Sequence, residues 1–209
     1  MTRKWIGYIG VGSLMCAALG CGILYTRQAR LRQEISDKVL RFHVLANSDS
    51  EADQNLKLAV RDAVGSFMQE KLTDVENLEE CELVVRQSLG EIEEAAAETI
   101  AENGYDYDVT AELEHTSFPV KNYGSYTFPA GDYEALRIVI GEGNGHNWWC
   151  VMYPNMCFSN TMYEVIDEDA RSSLKRVLSE DEYQQVLASG DYQVKFKSFE
   201  ILKGLYDEK

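Results

Sequence analysis

Between Trp5 and Tyr25 the chain runs through 21 uncharged, mostly apolar residues, with no polar period that would give one face to water. At 1.5 Å per residue such a helix crosses a hydrocarbon core of about 30 Å. Trp5 and Tyr25 stand at its ends, where interfacial aromatics sit. Residues 1–26 therefore read as a retained transmembrane anchor or as a signal helix removed after export. Ala18-Leu19-Gly20-Cys21 only faintly matches a lipoprotein cleavage site, and basic residues flank the span on both sides, so flanking charge does not orient it. Residues 27–38, of mixed charge, form a connector.

The pattern then shortens. Leu40, Phe42, Val44 and Ala46 alternate with Arg41, His43 and Leu45, which predicts a first strand over 39–46. Ser50 and Asp53 form a short acidic capping box, and Leu56, Ala59, Val60, Ala63, Val64, Phe67 and Met68 come after it at helical spacing, predicting a helix over 51–71. Leu78, Cys81, Val85, Leu89, Ile92, Ala96 and Ile100 mark a second helix over 76–102, stopped by Asn103-Gly104. From Tyr105 to Glu114 the period is 2 again, a half-buried strand. Residues 115–132 hold turn residues, two prolines and several aromatics, and read as a long loop or loose hairpin. Strands over 133–140 and 147–153 flank a glycine loop. Helices over 167–178 and 180–188 and a last strand over 192–199 complete the chain.

This order lacks a regular βαβ repeat. It predicts an α+β fold: the N-terminal transmembrane or signal helix, then one domain over 39–209 with a mainly antiparallel sheet and helices packed on one face.

Charge narrows the partners. The chain has 209 residues, 20 basic and 35 acidic, for a net charge of −15. Residues 1–30 hold four of the basic residues and none of the acids, so the body is more acidic still. Such a surface repels nucleic acid and anionic lipid headgroups. The five cysteines form no C-x-x-C, and the histidines are scattered at 43, 115 and 146, so neither a metal nor a cofactor is expected.

Candidate chemistry gathers at residues 138–158, IVIGEGNGHNWWCVMYPNMCF. Gly141, Gly143 and Gly145 lack phosphate-loop spacing and precede tryptophans rather than a helix, so a tight strand connection is the better reading. Cys150 and His146 could pair as nucleophile and base. On an extended strand, however, four residues separate them by about 13 Å, beyond hydrogen-bond reach. Cys150 and Cys157 would lie about 23 Å apart if extended. A disulfide between them thus requires a turn, for which Pro154-Asn155 is suited; the alternative is two buried thiols. Trp148 and Trp149, as strand neighbours, must face opposite ways. One is core, and the other is an exposed anchor unless the 115–132 segment covers it.

Two stretches carry a resemblance. LRFHVLANSDSEADQNLKLAVRDAV (40–64) and FPAGDYEALRIVIGEGNGHNWWCVMYPNMCF (128–158) resemble stage II sporulation protein R of endospore-forming Firmicutes. Membership would imply a signalling protein and not an enzyme. Such proteins are exported from the forespore into the intermembrane space. There they activate a membrane-embedded aspartic protease of the mother cell, which processes an inactive pro-sigma factor. The soluble body would be extracytoplasmic, held to the membrane by the N-terminal segment where that is not cleaved. On this reading the candidate partner contacts are Asn47, Ser48 and Asp49 with Gly143, His146, Asn147 and Trp148. The competing reading is a cell-envelope hydrolase or amidase using Cys150 with a histidine.

Overall fold

The computed structural model describes residues 2–154, Met156 and 168–188. A long helix, α1 (Thr2–Ser36), leads into β1 (Leu40–Leu45), then α2 (Glu51–Lys71) and α3 (Leu78–Glu102). Five strands come next: β2 (Val109–Phe118), β3 (Lys121–Tyr123), β4 (Tyr126–Phe128), β5 (Gly131–Ile140) and β6 (Asn147–Tyr153). The helices α4 (Glu168–Val177) and α5 (Glu180–Ala188) close the described chain. The strand expected over 192–199 lies outside the described residues. Among the described residues no helix is long and apolar enough to cross a membrane, so the membrane or signal reading of 5–25 rests on the sequence alone.

The α+β class and the mainly antiparallel pairing hold, with two corrections to the layout. The four-stranded sheet has the order β2-β5-β1-β6. Its outer pairings, β2 with β5 and β1 with β6, are antiparallel, but the central one, β1 with β5, is parallel, from Arg41 opposite Ala135 to Leu45 opposite Val139. The sheet is therefore mixed. A parallel neighbour needs a long crossover, and α2 and α3 lie within the connection between β1 and β5. The second correction concerns cover. One face packs on α2 and α3 through Phe42, Val44, Leu136, Ile138 and Met152 against Val60, Val64, Val85 and Ile92. The other face is not open: Tyr133, Ala135 and Val151 pack with Ile35 at the end of α1, Phe128 of the β3–β4 hairpin, Leu174 of α4 and Tyr183 of α5. Helices thus cover both faces.

The 115–132 stretch also differs from expectation. β2 continues to Phe118 and pairs along the whole of β5, and the small β3–β4 hairpin occupies the middle of the remaining residues. The outer half of β2, His115-Thr116-Ser117, has few apolar residues, because an edge strand need bury little.

Cover on both faces buries every residue of β1. The residues at its polar positions are consequently dehydrated. Arg41 is fully buried, its guanidinium carbon 4.5 Å over Phe118, 5.0 Å over Tyr133 and 5.2 Å over Phe128. It donates to the Tyr123 hydroxyl (2.9 Å), while Nε and Nη1 have no partner. Ring faces thus replace an acid as its surroundings. His43 stacks on Trp149 with ring centroids 3.7 Å apart, and no hydrogen bond of ordinary geometry reaches either ring nitrogen. Burial, aided by the charges of Arg137, Arg41 and Lys121 and only partly offset by Asn147, pushes its pKa down to about 3.

Arg41→Lys is expected to cost about 2–4 kcal/mol in urea denaturation, and Arg41→Met less, because an ammonium cannot spread its charge over the rings; a lysine variant at least as stable as the methionine variant would refute the cage. The His43 ring refuses a proton that the unfolded chain takes near pH 6.5. Stability is therefore expected to fall as pH drops from about 6.5 towards 3, and His43→Phe to flatten that decline. Parallel slopes of urea midpoint against pH in the two proteins would contradict this.

Candidate functional site

Because β1 and β5 run parallel and adjacent, their C-terminal ends reach the same end of the sheet, and so do the loops that leave them. Each loop carries backbone donors and acceptors with no strand to pair with, and the two satisfy one another. Gly145 N donates to Ala46 O (2.9 Å) and Asn144 N to Asn47 O (3.1 Å). The Asn47 side chain extends the pairing, its Oδ1 accepting from Glu142 N (3.0 Å). The glycines make the approach possible. Gly141 and Gly143 have φ of +57° and +62°, where a side chain is strained, and a Cβ on Gly145 would collide with the Ser48 carbonyl.

The start of α2 holds the clasp from below. The Ser50 hydroxyl caps the helix by accepting from Asp53 N (3.1 Å). Asp53 does not return the bond to complete the expected capping box. Its carboxylate instead accepts from Ser48 Oγ (2.5 Å), Asn47 Nδ2 (3.0 Å) and the Tyr107 hydroxyl (3.2 Å). The bonds from Ser48 and Asn47 hold the Asp53 carboxyl below its usual range. One turn on, Lys57 Nζ donates to the His146 carbonyl (2.9 Å) and to Gln54 Oε1 (2.6 Å), and burial lowers its pKa. A turn further, the Arg61 guanidinium carbon lies 5.2 Å over the Trp148 ring. Asp53, Lys57 and Arg61 are all buried.

At the exposed tip, Asp49 Oδ1 accepts from His146 N and meets His146 Nδ1, each at 2.5 Å. The bond to the imidazole, first, and to the backbone amide, second, pull the Asp49 carboxyl down. With Nδ1 engaged, the imidazole is fixed in orientation, and the side chain remains 80% exposed.

All seven predicted contact residues converge on this end, but they divide by role. Asn47, Ser48 and Gly143 build the clasp, and Trp148 packs edge-on against Phe42 (5.4 Å) beneath Arg61. Asp49, His146 and Asn147 are exposed. Neither tryptophan is a free anchor: Trp149 is covered by His43, Phe118 and Lys121. Sequence reasoning misses Asp53, Lys57, Arg61 and Tyr107 as parts of this site; the charged residues recurring every fourth position along α2 are the available signal.

The thiol–histidine pairing is not made. Cys150 is buried in the cluster beneath α2 and α3, where its thiol contacts the Val151 carbonyl (3.9 Å), whereas His146 is engaged by Asp49. Cys150 lies opposite Phe42 in the β1–β6 register, which places His43 on the other face. Cys150 carries a free thiol, and Cys157, the other half of the expected disulfide, lies outside the described residues.

Comparison with known proteins places this geometry in context. The family model described as stage II sporulation protein R (spore_II_R) matches residues 36–163, which contain both loops. The stage II sporulation protein R of Bacillus subtilis (strain 168) is 41% identical over 145 residues, covering 68% of this chain and 65% of that relative's length. No solved structure matches the chain.

Asp53→Ala, which removes the acceptor of three side chains, is expected to destabilise the fold by about 2–4 kcal/mol, and Asp49→Ala, at the exposed tip, by much less. Chemical denaturation of both variants tests this ranking, and equal losses would deny Asp53 its central place. Gly145→Ala is expected to lose about 1–3 kcal/mol through the clash with Ser48; an unchanged midpoint would show that the loops can part freely.

Proposed function

This chain belongs to the stage II sporulation protein R family, and from that premise we propose that it is a signalling protein of sporulation and not an enzyme. In this reading it is exported from the forespore into the intermembrane space, tethered or released according to the fate of residues 1–26. It activates a membrane-embedded aspartic protease of the neighbouring mother cell, which then cleaves an inactive pro-sigma factor.

The observation that carries the reading is the clasp. The two stretches with the family resemblance meet there and form one braced platform that presents Asp49, His146 and Asn147 to solvent. A platform whose loops are held by their own backbone binds a partner with little ordering cost. Activation then requires only that it bind the protease's active state better than its inactive one.

The test is co-expression of this chain with the aspartic protease and its pro-sigma substrate in a non-sporulating host, with blotting for the shortened sigma factor. Processing is expected only when all three are present. His146→Ala and Asn147→Ala are expected to reduce it roughly fivefold or more, the effect of losing a contact worth about 1 kcal/mol, while leaving the melting curve nearly unchanged. Full processing by both variants would remove the platform from the interface. No processing by the parent chain, with all partners present and exported, would overturn the signalling role itself.

A further inference from the structure

The two edges of the four-stranded sheet differ. On β6 the carbonyls of Trp149 and Val151 are taken, the first by the Tyr123 hydroxyl (3.0 Å) and the second by Met156 N (3.2 Å). At the opposite edge, β2 pairs with β5 without a break over Val109–Phe118. Asp108 O accepts from Gly141 N (2.8 Å), so even-numbered residues turn their main-chain groups to β5 and odd-numbered ones turn theirs outward. The outward amide of Ala111 is stopped by Glu93 Oε1 (2.9 Å). Beyond it, Leu113, His115 and Ser117 present amides and carbonyls that none of the described residues bonds, and the last two are exposed.

A strand added there would lie beside α3, and the helix leaves it room. The side of α3 that brings Glu93 to the edge continues outward, at helical spacing, through Arg86, Gly90 and Leu83. A Cβ on Gly90 would meet nothing within 4 Å, and Leu83 is 53% exposed. Charge selects the occupant. Glu112 and Glu114 stand on the open strand, and Glu134 lies opposite His115. Arg137 bonds Glu114 and Arg86 bonds Glu134, each at 3.2 Å, but Glu112 has no ion pair among the described residues. Glu82 of α3 crowds Glu134: burial first, and that neighbouring charge second, push the Glu82 carboxyl above its ordinary range. A second copy of β2 would set these glutamates against their own kind, which adjacent strands disfavour. We propose that the Leu113–Ser117 edge takes an extended, lysine- or arginine-bearing segment of a partner protein as an added strand. Main-chain bonds hold such a segment, and the glutamates choose it. Phe118 pairs with Gly131, at the end of the sheet away from the clasp, so the proposal stands independently of the signalling role.

A capped heptapeptide of alternating lysine and valine is the probe, since its lysines fall on one face, beside Glu112 and Glu114. Its control carries glutamate for every lysine. In amide NMR spectra of the full chain in a non-ionic detergent, the lysine peptide is expected to shift the Leu113, His115 and Ser117 amides saturably. The glutamate peptide is expected to bind about tenfold more weakly. Glu112→Lys, at an exposed position, is expected to weaken the lysine peptide about three- to fivefold and to strengthen its control. His115→Pro is expected to abolish binding of both, because proline is tolerated on an outward edge position but offers no donor. If the proline variant does not fold, the response to Glu112→Lys decides. Unmoved edge amides in folded protein, equal affinity for the two peptides, or binding indifferent to Glu112→Lys would each overturn the proposal. Shifts of the same amides with protein concentration alone would overturn it too, by making a second copy the occupant.

Discussion

The arrangement at the exposed end of the sheet depends on main-chain hydrogen bonds between the loop after β1 and the loop after β5. A parallel pair delivers two chain ends side by side, each with amides and carbonyls that the sheet no longer satisfies. Asn47 resolves much of this by serving with both backbone and side chain, accepting at its carbonyl from Asn144 and at Oδ1 from Glu142. Three alternate glycines keep the opposing strand of loop thin enough to lie there. The buried carboxylate of Asp53 then converts a loop contact into part of the helix terminus, so the tip moves only if α2 moves with it.

The same strand sets the terms on the other face. β1 is enclosed above and below, and the sheet cannot spare it a wet side for Arg41 and His43. The molecule surrounds Arg41 with the faces of Phe118, Phe128 and Tyr133 and keeps the His43 ring uncharged against Trp149. The tryptophan pair divides the labour: Trp148 closes the α2 side at Arg61, and Trp149 closes the hairpin side at Lys121. These aromatics link the two apolar clusters through adjacent residues of one strand, which helps to explain why so short a stretch of sequence carries so much of the family resemblance.

Much of this is legible in the sequence where a period is strong. The apolar stripe of α2 and its Ser50 cap define that helix, and Asn103-Gly104 marks the end of α3, where Gly104 takes positive φ. The convergence of 47–49 with 143–148 is foreseen only through resemblance, since no local pattern brings residues nearly 100 positions apart together. The parallel register of β1 and β5 is invisible for the same reason. Arg41 and His43 look like a wet face because alternation reports side-chain direction and not what lies opposite. Asp53 reads as a helix cap, its local role, whereas its carboxylate is committed to Ser48, Asn47 and Tyr107 by tertiary packing.

The last turns of α1 have a mechanical consequence. The helix runs unbroken from Thr2 to Ser36, and its end is anchored in the domain by Ile35, fully buried, and by the ion pair that Lys38, just beyond it, makes with Glu182 (2.7 Å). A helix seated in this way acts as a shaft and not as a tether. Each residue along it advances about 1.5 Å and turns about 100°, so whatever grips its far end also sets the compass bearing of the clasp. Inserting one residue just before Arg27 would swing Asp49, His146 and Asn147 relative to that far end by more than a quarter of a turn while leaving the seat of Leu31 and Ile35 in the domain untouched.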